Sequence, residues 1–129
     1  MSSKEKTHKI HQFNPQIYPR LLWIAVGVPI DVIRDMFGKD TAEMDDDAAA
    51  DCANVFNEKT KKGGILIRFR SMKEMTPSIM AHESTHAAIE IFDYSQCCIS
   101  HDNQEPFAYL VGWCVDCCHK VRINKFDDD

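Results

Sequence analysis

The segment His82-Glu83-Ser84-Thr85-His86 has the residue types and spacing for metal-assisted chemistry. On a helix, residues four apart stand one turn above each other on one face, so the rings of His82 and His86 can each offer a nitrogen to one ion. Glu83 lies beside them on nearly the same face. It is poorly placed to reach the ion but can hold water next to it. Zinc held by such a pair lowers the pKa of that water, and the carboxylate takes its proton. A bare match of this kind arises by chance, so its setting matters. Here Ile79, Met80 and Ala81 precede it and Ala87, Ala88, Ile89, Ile91 and Phe92 follow it, as in a half-buried helix.

A hydrolytic zinc site takes three protein ligands and leaves a fourth position for water. Glu105, nineteen residues after His86, is the expected third ligand. Ala108 and Gly112 follow it at helical spacing, a stripe of small residues that would let a second helix approach closely. The other reading of Glu105 is a helix cap alone. His101 and Asp102 are rival ligands. His101 would bind the ion or stabilise an oxyanion, and Asp102 is better suited to capping. Glu90 and Asp93 would steady a ligand histidine through its second nitrogen, or simply face water.

The surrounding elements must position these groups. Residues 1–15 read as a loose start running into a strand. The run Arg20-Leu-Leu-Trp-Ile-Ala-Val-Gly27, after Pro19, is apolar and bounded by proline and glycine, a strand buried on both faces. Residues 30–37 suit a short helix stopped by Gly38. Residues 39–51, acidic and alanine-rich, are a loop or a loose helical turn. A hairpin follows, with arms Cys52 to Phe56 and Ile65 to Phe69 and a turn that includes Gly63-Gly64. Ile65, Ile67 and Phe69 share one face. Thr76-Pro77 starts a helix that runs to about Tyr94. Asp102, with Glu105 three residues on, starts another that runs to about Lys120. Its apolar face would carry Phe107, Leu110, Val111, Cys114, Cys118 and Val121. The expected fold class is α+β, a small twisted sheet beside two long helices, and the 129 residues read as a single domain.

The formal net charge of −5 and the single basic cluster, Lys59 to Lys62, argue against a nucleic-acid partner. The acidic runs Asp45-Asp46-Asp47 and Asp127-Asp128-Asp129 read as a solvated loop and tail. No apolar run precedes Leu21, and the run there is too short to span a bilayer, so no membrane partner and a cytoplasmic location are expected. Six cysteines include the adjacent pairs Cys97-Cys98 and Cys117-Cys118, expected as reduced thiols. Cys97, Cys114, Cys117 and His119 could make a second metal site, but burial of Cys114 and Cys118 in the helix face is the simpler account.

At this point the chain resembles the zincin metallopeptidases, in their gluzincin branch, with His82, Glu83 and His86 matching ligand, base and ligand. The family's third-ligand glutamate matches Glu105 within Asn103-Gln-Glu-Pro-Phe-Ala-Tyr109, which is similar to small prophage and mobile-element peptidase domains. The larger gluzincins carry Asn-Glu there and a later acid, where this chain has Gln104, Ala108 and Tyr109. The likeness covers about residues 65–115. It implies a minimal zincin-like domain, a Zn2+ cofactor, a peptide or protein substrate and hydrolysis with Glu83 as general base. It also implies an edge strand, Ile65 to Phe69, that holds an extended substrate. Tyr94, His101 and Tyr109 are the candidates for an oxyanion donor. The alternatives are an inactive zinc-stabilised binding protein and a zinc hydrolase of a non-peptide substrate.

Overall fold

The computed structural model describes residues 9–124. The polar start up to residue 8 and the run Asp127-Asp128-Asp129 lie outside the described residues. The elements in chain order are β1 (Ile10–Phe13), β2 (Leu21–Val26), α1 (Ile30–Phe37), β3 (Ala50–Asn57), β4 (Lys62–Phe69), α2 (Pro77–Tyr94) and α3 (Glu105–Ile123). The fold is mixed α+β, with a four-stranded sheet in the order β1-β2-β4-β3. β2 and β4 run parallel, and both outer strands are antiparallel to their neighbours.

The period of two in β2 divides its side chains between two cores. Leu21, Trp23 and Ala25 pack with Ile33 and Phe37 of α1 on one face. Leu22 and Ile24 pack on the other face with Ile65, Ile67 and Phe69 of β4, against α2 and α3. The continuous apolar run is therefore a strand covered on both sides. Trp23 adds a polar tie, its indole Nε1 donating to Gln12 Oε1 of β1 at 3.0 Å.

Residues 39–49 form no helix, and β3 begins at Ala50, two residues before the expected hairpin arm. Gly63 and Gly64 belong to β4 rather than to a turn. Gly64 lies against β2 so closely that a methyl group there would stand 2.1 Å from the Leu21 carbonyl oxygen. Glycine is needed for that approach of backbones, which pattern alone attributes to a turn.

The β4 segment Ile65–Phe69 is not an edge. It pairs with β2 on one side and β3 on the other, and β3 forms the edge next to α2. Thr76 caps α2, its side chain accepting from the Ile79 N–H at 3.2 Å. α3 starts later than the acidic cap predicts. Glu105 is its first residue, Gln104 stands at the cap position, and Pro106 occupies the first turn. Among the described residues no helix is long and apolar enough to cross a membrane.

Candidate functional site

His82 and His86 do converge. One turn apart on α2, both exposed, they bring their Nε2 atoms to 3.3 Å. Glu83 between them turns inward and is only 7% exposed. Its carboxylate makes no hydrogen bond among the described residues. Burial raises its pKa above the ordinary carboxylate range. The nearby His82 and His86 pull it down, and Asp51 pushes it up further.

Glu105 does not join them. Two contacts set the register of the antiparallel helices. Ser84 Oγ lies 3.7 Å from Cys118 Sγ, and the rings of Phe92 and Phe107 are 5.3 Å apart. Glu105 therefore stands level with the C-terminal end of α2, about eight residues or roughly 12 Å along the axis from His86. It also lies on the wrong face. Glu105, Ala108 and Gly112 are all exposed, and no atom would meet a side chain at Gly112 within 4 Å. The stripe of small residues faces solvent instead of α2.

The other expected donors are also elsewhere. His101 sits in the exposed 95–104 loop, where its carbonyl accepts from Gln104 Nε2 at 2.9 Å. Tyr109 is 76% exposed and borders an apolar groove with Pro15, Ile17, Tyr18, Pro106 and Trp113. Asp102 caps nothing, because α3 begins beyond it. Among the described residues no group of three histidines, cysteines or acids could hold a metal ion.

That finding corrects the functional reading of the motif. The zincin resemblance, the Zn2+ cofactor, the hydrolase and metalloprotease assignment and both zinc-based alternatives all require a third ligand that the helix register does not deliver. The same holds for the second metal site. Cys114, Cys117 and Cys118 are buried thiols, Cys97 and Cys98 are exposed in the loop, and all six cysteines are free. Burial pushes the Cys118 thiol up to about 11 and the Cys117 thiol up to about 12.

What Glu83 and His86 do line is a groove of about 320 Å³ along β3, with Ala50, Asp51, Cys52, Ala53, Asn54 and Glu90. Three side chains are fixed in it by polar bonds. Asp51 accepts two hydrogen bonds from Arg68, at 2.9 and 2.7 Å. Arg20 Nη2 donates to Asn54 Oδ1 at 2.8 Å, which turns the Asn54 amide nitrogen toward Glu90 Oε1, also at 2.8 Å. Ala50 and Asp51 escape sequence reading, although Cys52 to Phe56 does not, because a strand start at Ala50 inside an acidic, alanine-rich stretch carries no period-two signal. The available clue is length: an eight-residue β4 needs a partner longer than Cys52 to Phe56.

No protein-family model matches this chain, and neither a curated protein nor a solved structure shows significant similarity to it.

Proposed function

We propose that this chain is a peptide-binding module that takes an extended polypeptide segment along the outer edge of β3. The observation that carries this reading is the edge itself. β3 is eight residues long, lacks proline, and pairs with no other strand on its outer side among the described residues. Such an edge offers alternate N–H and C=O groups to an incoming strand, and side chains of the ligand supply selectivity in the adjoining groove. The groove between β3 and α2 runs alongside it, floored by small residues and walled by Glu83, His86 and Glu90. Glu83 and His86 act here as groups that meet the ligand. The 129 residues work as one unit in this reading, since the two cores share the sheet through Leu66 and its neighbours.

The test is hydrogen exchange of the full chain with and without a library of capped, extended eight-residue peptides. Binding protects alternate amides within residues 50–57, and N-methylation of alternate peptide amides abolishes the protection. No protection at saturating library rejects the reading. Protection that appears without peptide and grows with protein concentration replaces the peptide by a second copy of the chain.

A further inference from the structure

We propose that the groove beside β3 selects a lysine or arginine side chain of the bound segment and seats its cation between Glu83 and Glu90. This rests on the edge-strand reading above and adds the chemistry of the residue that is recognised.

Three carboxylates line the groove, and they are not equivalent. Asp51 is already matched, with both oxygens occupied by the Arg68 guanidinium. Glu83 and Glu90 have no arginine or lysine partner among the described residues, where the ion pairs are Lys59–Asp35 and Arg68–Asp51. Glu90 spends Oε1 on Asn54 and keeps Oε2 for another donor. Glu83 is nine-tenths buried, accepts no hydrogen bond, and lines the groove. Its residue is packed against the core while its oxygens stay open to the groove, and a donor carrying positive charge suits them best.

The shape agrees with the charge. Ala50 and Cys52, on the α2-facing side of β3, are small, so the floor can lie against the methylene stem of a long cationic side chain while its head reaches the two glutamates. The relay from Arg20 through Asn54 holds Glu90 in place before any ligand arrives, which reduces the ordering cost of binding. A neutral donor at the same position would satisfy one oxygen without meeting the charge, and an acidic side chain would be repelled.

The experiment uses a capped seven-residue peptide of alternating threonine and valine with one central lysine, and versions with central arginine, glutamine or glutamate. A further version moves the lysine to one end. Affinity is read by fluorescence anisotropy at physiological salt, and docking by protection of the β3 amides. The central-lysine and central-arginine peptides are expected to bind at least tenfold tighter than the glutamine and terminal-lysine peptides. In Glu90→Gln and in Glu83→Gln that ratio falls below about threefold, with folding checked by circular dichroism. Equal affinity of central lysine and glutamine, with β3 still protected, overturns the selectivity and leaves the edge reading standing. Equal affinity of central and terminal lysine overturns it too, since it reports only long-range attraction to a chain of net charge −5. Failure of every peptide to protect β3 removes the edge reading and this inference together.

Discussion

Ser84 of α2 and Cys118 of α3 meet in the core, with Oγ 3.7 Å from Sγ and both residues fully buried. This contact sets how far one helix is slid along the other, and so where Glu105 falls relative to His86. The space there is filled by two small polar side chains. Ser84→Leu is expected to overpack it and cost about 1–3 kcal/mol of stability in denaturant unfolding. An unchanged midpoint would show that the helices slide freely and that the contact does not set the register.

Glu83 destabilises the free protein when ionised. Its folded-state pKa is raised, chiefly by burial, so as pH rises the unfolded chain releases the proton first and gains relative stability. The favourable contribution of the protonated carboxyl is complete below the unfolded-chain value of 4.5 and is lost as pH climbs through the raised value. Glu83→Gln is therefore expected to be more stable than wild type at neutral pH, by about 1 kcal/mol or a few degrees in Tm, with the gain vanishing in acid. A variant less stable at pH 7 would mean that the carboxylate has a favourable partner. A residue that costs the free fold and faces a groove fits a binding role.

The Arg68–Asp51 pair is partly buried, with side-chain exposures of 9% and 31%, and Arg68 also donates to the Ala42 carbonyl at 2.9 Å. Arg68→Ala leaves Asp51 uncompensated and removes the tie to Ala42, while Arg34 and Arg70 still hold the rest of the 39–49 loop, at an expected cost of about 2–3 kcal/mol. Asp51→Asn keeps one acceptor and is expected to cost about 1 kcal/mol. Equal effects of the two changes in thermal unfolding would contradict this ordering.

Alkaline sensitivity comes from the buried thiols. Cys118 is raised by burial, eased by the Ser84 contact and raised again by Glu83, to about 11, while burial leads the rise of Cys117 to about 12. Groups raised in the folded state stabilise it fully below their unfolded pKa, here 9.0, and lose that contribution as pH rises through the folded values. Stability is thus expected to fall from about pH 9 to pH 12, and Cys118→Ala to flatten the slope of a Tm-against-pH curve in that window. The same slope in wild type and variant would assign the loss to other groups.

Gly64→Ala places a methyl group 2.1 Å from the Leu21 carbonyl oxygen in the paired backbones of β2 and β4. A loss of about 3 kcal/mol is expected, since backbone in a central strand cannot step aside as a flexible side chain can. Gly112→Ala, where the added carbon meets nothing, should instead stabilise by roughly 0.5–1 kcal/mol through helix propensity. Chemical denaturation of the two variants separates these cases.

Much of the chain is determined by its local pattern. The run Leu21–Val26 is apolar at every position because both faces of β2 are covered, and Thr76-Pro77 opens α2 because a cap and a first-turn proline are local chemistry. The convergence of His82 and His86 is equally local, following from the helical repeat alone. Tertiary structure decided the rest. Sequence spacing between His86 and Glu105 carries no information about how far α3 slides along α2 or which way it turns, and packing around Ser84, Cys118, Phe92 and Phe107 placed Glu105 in solvent. Strand order likewise follows from pairing between distant segments, so Ile65–Phe69 is central and Ala50–Asn57 holds the edge. Contacts within one turn of helix are set by bond geometry, whereas contacts between elements are set by the packing of the whole core.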